Sequence, residues 1–306
     1  MTWAFGLLAL AVLAWALAER RRRPMDRAAR AAAPGRIADL PSGGTHYRWD
    51  GPTEGPVAVV IHGISIGSSF MDEVAAILAG MGFRVLRYDL YGRGLSDRPG
   101  GAQDRAFFVG QLRALLDYLG FDGPVTLVGH SMGGAIATAF AAEASHRVNR
   151  LVLLTAAGLG ERTPLLFKLV RDVPVVGDWL MRVGGGLAIR RIARTLGRDQ
   201  GISGEVIEAQ CAETRYRGFL PAILSSLRHF LRDDLAVDHR KVARTGLPVL
   251  AMWAEEDEVI LRSVPGRLAE INRDAMQVVV PGATHALPVT HVRDIREALR
   301  EFLRAI

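Results

Sequence analysis

The chain has 306 residues, 49% of them hydrophobic, which is long enough to bury a large core as one globular domain. Its formal charge is +6, but seven arginines set against Glu19 and Asp26 put +5 of that into residues 1–36, so the rest is close to neutral. One basic cluster without interleaved aromatics excludes nucleic acid as an expected partner, and the lone cysteine, Cys211, excludes an intrachain disulfide.

From Thr2 to Ala18 the chain is apolar and uncharged, and Arg20 to Arg23 follow at once. Four consecutive arginines resist translocation, and no basic residue precedes the apolar run to orient a cleavable signal. The expectation is an uncleaved single-pass anchor over residues 1–23, its basic flank on the cytoplasmic side together with the catalytic domain. Residues 24–45, rich in Ala, Pro, Gly and Arg, read as a linker that keeps the body near the bilayer.

Beyond the linker, short apolar runs at 57–61, 84–88, 125–128, 151–154, 249–253 and 277–280 read as buried parallel strands. Helical patterns fall between them at about 69–80, 105–119, 132–144, 263–271 and 291–304. Such alternation predicts an α/β fold, a mostly parallel central sheet with helices on both faces. It breaks between Gly158 and Arg244, where five helical segments replace strands. An apolar insertion of that length, placed after the sixth strand, reads as a helical cap over the carboxyl ends of the strands. The expected organisation is therefore a core of 46–157 and 245–306 with a cap of 158–244. Gly184-Gly185-Gly186 reads as a hinge within that cap, and Cys211 as core.

Gly129-His130-Ser131-Met132-Gly133 fits G-x-S-x-G directly after a strand and before a helix. The glycines remove side chains that would collide at a strained strand-to-helix turn, and the turn projects the serine hydroxyl above the sheet edge. A neutral serine is a weak nucleophile and needs a base, which an acid must orient. Asp257, past the strand 249–253, is the expected acid in preference to Glu255 and Glu256. His285, in the turn-rich segment before the terminal helix, is the expected base. His62 and His130 belong to other motifs, His291 starts the terminal helix, and His46, His146, His229 and His239 read as surface or cap residues. The backbone N–H groups of Met132 and Ile64 are the expected oxyanion donors. Neither a metal nor a nucleotide cofactor is expected, because ligand clusters at zinc spacing and phosphate-binding glycine loops are both missing from the sequence.

His62-Gly63 after a strand, the stretch Asp89 to Asp97, the serine elbow, Trp253-x-x-x-Asp257 and Gly282-x-x-His285 together resemble the α/β-hydrolase superfamily over about residues 45–306. The resemblance implies a serine hydrolase. A serine elbow speaks against haloalkane dehalogenases and epoxide hydrolases, which carry aspartate there, and leaves esterases, lipases, carbon–carbon hydrolases, thioesterases and cofactor-free haloperoxidases. It also implies a structural role for Asp89 to Asp97. Anchor, cap and spacing look most like the membrane-bound monoacylglycerol lipase group, although Ala254 stands where many relatives have glycine. The leading expectation is hydrolysis of acyl-lipid esters. The alternatives are a carbon–carbon or other small-molecule hydrolase with the same triad, and a non-enzymatic membrane-tethered interaction module.

Overall fold

The computed structural model describes residues 2–31 and 33–305. Helix α1 (Thr2–Arg20) and the one-turn α2 (Arg27–Arg30) precede an antiparallel pair, β1 (Arg36–Leu40) and β2 (Gly43–Asp50). Then come β3 (Val57–Ile61), α3 (Asp72–Gly80), β4 (Arg84–Tyr88), α4 (Arg105–Tyr118), β5 (Val125–His130), α5 (Met132–Glu143) and β6 (Val148–Leu154). The helices α6 (Leu165–Asp172), α7 (Val176–Leu180), α8 (Gly186–Asp199), α9 (Gly204–Glu213), α10 (Phe219–Arg228) and α11 (Ala236–Arg244) form an insertion before the next strand. The chain closes with β7 (Val249–Ala254), α12 (Val264–Ile271), β8 (Met276–Val280), α13 (Leu287–Thr290) and α14 (Val292–Arg304).

These strands make one eight-stranded sheet of order β1-β2-β4-β3-β5-β6-β7-β8. Every pairing from β4 through β8 is parallel, and β2 runs antiparallel to both β1 and β4. This is the α/β-hydrolase fold. Burial on both faces explains the unbroken apolar runs, since successive side chains serve opposite cores. From β3, Val59 and Ile61 join Phe108, Leu112, Val242 and Leu268 on one side. Ala58 and Val60 join Met71, Val74, Leu78, Ile295 and Phe302 on the other. Helix α14 has the matching pattern, burying Ile295, Ala298, Leu299 and Phe302 along one stripe. Helix α5 is buried almost end to end, and its Gly and Ala residues let it lie close on the sheet. A Cβ on Gly134 would stand only 2.5 Å from the Ala156 side chain.

Three expectations are corrected here. The membrane-anchored localisation is overturned, because among the described residues no helix is long and apolar enough to cross a membrane. The apolar run of about 17 residues rises about 26 Å, short of a hydrocarbon core of ~30 Å. The middle of α1 also lies against protein: Trp179 Nε1 donates to the Ala11 carbonyl at 2.9 Å, and the Arg182 guanidinium sits 4.7 Å over the Trp15 ring. Membrane partnership through this helix falls with the localisation. Second, the stretch read as a linker to residue 45 already contains β1 and the start of β2, which extend the sheet beyond β4 as an antiparallel pair and bury Ala38 and Leu40 in its core. Third, Gly184 and Gly185 lie in a wide helical turn that runs straight into α8 at Gly186, so the triple glycine is helical rather than a hinge loop.

Candidate active site

Ser131 caps the N-terminus of α5 with φ 52° and ψ −121°, a left-handed backbone that a side chain adopts only under constraint. The constraint comes from both sides. Ser131 N–H donates to the Leu154 carbonyl at 3.1 Å, and its own carbonyl accepts from Ala157 at 3.1 Å and Gly134 at 3.0 Å. Glycine is demanded around it: a Cβ on Gly129 would meet Gly134 N at 2.5 Å, and one on Gly133 would meet the His62 carbonyl at 2.6 Å.

Three residues distant in sequence form one hydrogen-bonded chain at this point. His285 Nε2 lies 3.0 Å from Ser131 Oγ, and His285 Nδ1 lies 3.0 Å from Asp257 Oδ2. The other carboxylate oxygen, Oδ1, accepts from Val259 N–H at 2.7 Å and Ile260 N–H at 2.8 Å. Burial alone would raise the Asp257 pKa, but the His285 ring and these two N–H groups outweigh it and hold the carboxyl below its ordinary range. With Asp257 ionised, Nδ1 carries the imidazole proton, leaving Nε2 to accept from the serine hydroxyl. Glu255 and Glu256, the alternative acids, are exposed; Glu255 is turned to the Gly282 amide at 3.1 Å.

Met132 is the first residue of α5, so its N–H lacks an intrahelical acceptor. Ile64 follows the bend at Gly63, where an added Cβ would lie 3.4 Å from the Ser131 side chain. The Ile64 loop is fixed by Arg93, fully buried, whose Nε donates to the Ile64 carbonyl at 3.0 Å while Nη2 reaches Ser226 Oγ of α10 at 2.7 Å. Burial pushes the Arg93 pKa down to about 9, which still leaves it charged at neutral pH. His62 adds a second tie, its Nε2 accepting from Leu90 N–H at 2.9 Å; burial lowers its pKa to about 4, so the ring is neutral.

The stretch Asp89 to Asp97 is held by a buried ion pair that escaped the sequence reading. Asp89 accepts from Ser68 N–H at 2.7 Å, Leu95 N–H at 2.9 Å and His46 Nδ1 at 2.8 Å. Burial opposes the charge on each partner, but their mutual attraction prevails, raising the His46 pKa and lowering that of Asp89. The other ring nitrogen of His46, Nε2, lies 2.9 Å from the Pro34 carbonyl, so both nitrogens face acceptors and the residue is a buried structural cation, not a surface residue. His239 is buried as well, whereas Cys211 lies in the interior of α9. Other contacts to the loops that carry Ile64 and His285 come from residues with no motif of their own: Gln210 of α9 donates to Ser65 Oγ at 2.8 Å, and Glu258 accepts from His285 N–H at 3.3 Å. Among the described residues no group of His, Cys, Asp and Glu is placed to hold a metal ion.

Sheet order, elbow and the Ser131–His285–Asp257 geometry define an α/β-hydrolase, and the chain belongs to the alpha/beta hydrolase fold family, whose model matches residues 56–292. It is 33% identical over 181 residues to an uncharacterized protein of Mycobacterium tuberculosis, covering 59% of this chain and 48% of that one. The chain thus spans about half the length of that curated relative. It is also similar to a bifunctional esterase/perhydrolase of Acinetobacter calcoaceticus, 26% identical over 282 residues and covering 85% of this chain and 95% of the relative. Among solved structures, an enol-lactonase from Burkholderia xenovorans superposes with a TM-score of 0.74 at 22% identity, over 88% of this chain and 100% of that one.

Proposed function

We propose that the protein is a serine hydrolase of carboxylic esters with an apolar acyl chain, such as monoacylglycerols. Ser131 is the nucleophile, His285 the general base and acid, Asp257 its orienting acid, and the N–H groups of Ile64 and Met132 the oxyanion donors. The observation that carries the reading is the unbroken hydrogen-bonded relay from Asp257 to His285 to Ser131. In the first half-reaction Ser131 Oγ bonds to the ester carbon as its proton passes to His285 Nε2. Collapse of the tetrahedral intermediate expels the alcohol, which takes that proton, and leaves an acyl-enzyme. Water then attacks through the same base, releasing the acid and restoring the serine.

The apolar preference rests on the surroundings of Ile64. Its side chain packs against a cluster of Met181, Phe219, Leu220, Ile223 and Leu224 from the helical insertion, so the loop that carries this oxyanion donor is backed by hydrocarbon side chains. Residues 158–244 act in this reading as a cap that gives the acyl chain an apolar surface.

The test is a panel of monoacylglycerols, aryl esters and a vinylogous 1,5-diketone, assayed with and without detergent, with Ser131→Ala as control. The reading expects ester turnover that rises with acyl length, and loss of turnover and of fluorophosphonate labelling in Ser131→Ala. Turnover of the diketone in preference to every ester would replace it with carbon–carbon hydrolysis by the same triad. Wild-type turnover by Ser131→Ala would end the mechanism altogether.

A further inference from the structure

His285 lies between β8 and α13, outside any regular element, and neither its N–H nor its carbonyl has a backbone partner among the described residues. Both are held by side chains. His130 Nε2 stands 3.0 Å from the His285 carbonyl, and Glu258 Oε2 accepts from the His285 N–H at 3.3 Å. We propose that His130 and Glu258 are positioning residues that grip the two sides of the His285 peptide, and that Glu258 links this grip to the helical insertion through Gln200. The inference rests on His285 being the general base.

His130 is the first of the two variable residues of the elbow motif and is 5% exposed. A carbonyl can only accept, so Nε2 carries the proton and Nδ1 is a bare lone pair. Nδ1 has no partner among the described residues, a desolvation cost of about 1–3 kcal/mol that an apolar residue in the same place would avoid. Packing by itself therefore does not account for a histidine here; donation to the His285 carbonyl does. Burial, with the nearby His285 ring, lowers the His130 pKa to about 3, so the ring stays neutral at working pH and serves as a fixed donor rather than a proton carrier. Its ring centroid is 5.0 Å from that of His285 and 5.1 Å from that of Phe70, which fixes its orientation.

Glu258 reaches in the other direction. While Oε2 faces the His285 amide, Oε1 accepts from Gln200 Nε2 at 3.2 Å, and Gln200 caps the C-terminus of α8. The base loop and the insertion thus share one carboxylate. Displacement of a reacting group by about 1 Å costs up to about 100-fold in rate, so a grip on both sides of the base peptide acts on turnover more than on binding.

The experiment compares His130→Phe, His130→Asn, His130→Gln, Glu258→Leu and Gln200→Leu with wild type, measuring kcat and KM on a medium-chain aryl ester, fluorophosphonate inactivation rate, and Tm. Phe keeps the ring volume without a donor, Asn is too short to reach, and Gln carries an N–H close to the Nε2 position. We expect kcat and inactivation rate to fall about 10–100-fold in the Phe and Asn variants with KM within about threefold, and His130→Gln to recover most of the loss. Glu258→Leu should act on kcat in the same way, and Gln200→Leu more weakly. If His130→Phe does not fold, the Asn and Gln pair carries the same comparison. Wild-type kcat in His130→Asn or in Glu258→Leu, with Ser131→Ala inactive, would overturn the positioning roles while leaving the hydrolase reading intact. An active Ser131→Ala would instead remove the reading beneath them.

Discussion

Replacing Asp257 by Asn changes one atom and tests the direction of every hydrogen bond in the relay. Oδ1 is committed to the Val259 and Ile260 amides at 2.7 and 2.8 Å, and both are donors. The asparagine carbonyl must occupy that position, since its NH2 would face two N–H groups there. The NH2 is then turned to His285 Nδ1, 3.0 Å from the position of Oδ2. Nδ1 becomes an acceptor, so the proton moves to Nε2 and a donor points at Ser131 Oγ where a base is required. The imidazolium formed in the transition state also loses its counter-charge. Together these effects should lower kcat by about 10⁴-fold, equivalent to ~5 kcal/mol at the transition state.

The fold should survive, with a loss of about 1–2 kcal/mol for the charged hydrogen bonds removed. The sign for the native acid follows from its lowered pKa: the stabilisation Asp257 provides is present at neutral pH and is lost only as pH falls through a value below the ordinary 3.8. Aryl-ester kinetics at neutral pH, with circular dichroism to verify the fold, measure both effects. Activity within tenfold of wild type in a folded Asp257→Asn protein would refute the tautomer argument.

Three further outcomes follow from the same structure. Gly133→Ala would drive a Cβ to 2.6 Å from the His62 backbone carbonyl, which cannot give way, so fluorophosphonate labelling of Ser131 should fall at least tenfold; unchanged labelling would contradict the packing of the elbow. Arg93→Met leaves the buried Ile64 and Tyr91 carbonyls without their donor and should cost at least about 3 kcal/mol in urea unfolding, a loss under 1 kcal/mol counting against the role given to it. Glu213 of α9 accepts from Gly94 N–H at 2.8 Å, but its other oxygen lies 3.7 Å from Arg98, and burial, only partly offset by Arg98, raises its pKa from 4.5 to about 7. A raised carboxyl stabilises the fold while protonated, so its contribution is full below pH 4.5 and is lost as pH rises through about 7, up to about 3 kcal/mol in all. Glu213→Gln should therefore flatten the decline in Tm between pH 5 and 8, and equal slopes in the two proteins would exclude the assignment.

Strand and helix periodicity made most of the sheet legible, because strands buried on both faces have to be continuous apolar runs, and the interior of the sheet leaves no other solution for 57–61, 125–128 or 249–253. The serine elbow was legible for a related reason: a strained turn between strand and helix tolerates little but glycine around the serine. Local pattern failed where the decisive contact was distant. β1 and β2 form the antiparallel margin of the sheet, and their pairing partners, not their composition, make them strands. The apolar N-terminal run has the composition of a spanning segment, yet its length and its contacts with Trp179 and Arg182 decide otherwise. His46 and Asp89 are 43 positions apart, and nothing in either neighbourhood announces a buried ion pair. Sequence by itself determined which residue types could do the chemistry and in what order, since bond polarity and backbone strain are local properties. Tertiary structure alone decided what holds the His285 peptide and where α1 lies, because each of these depends on a distance between residues that the chain order does not encode.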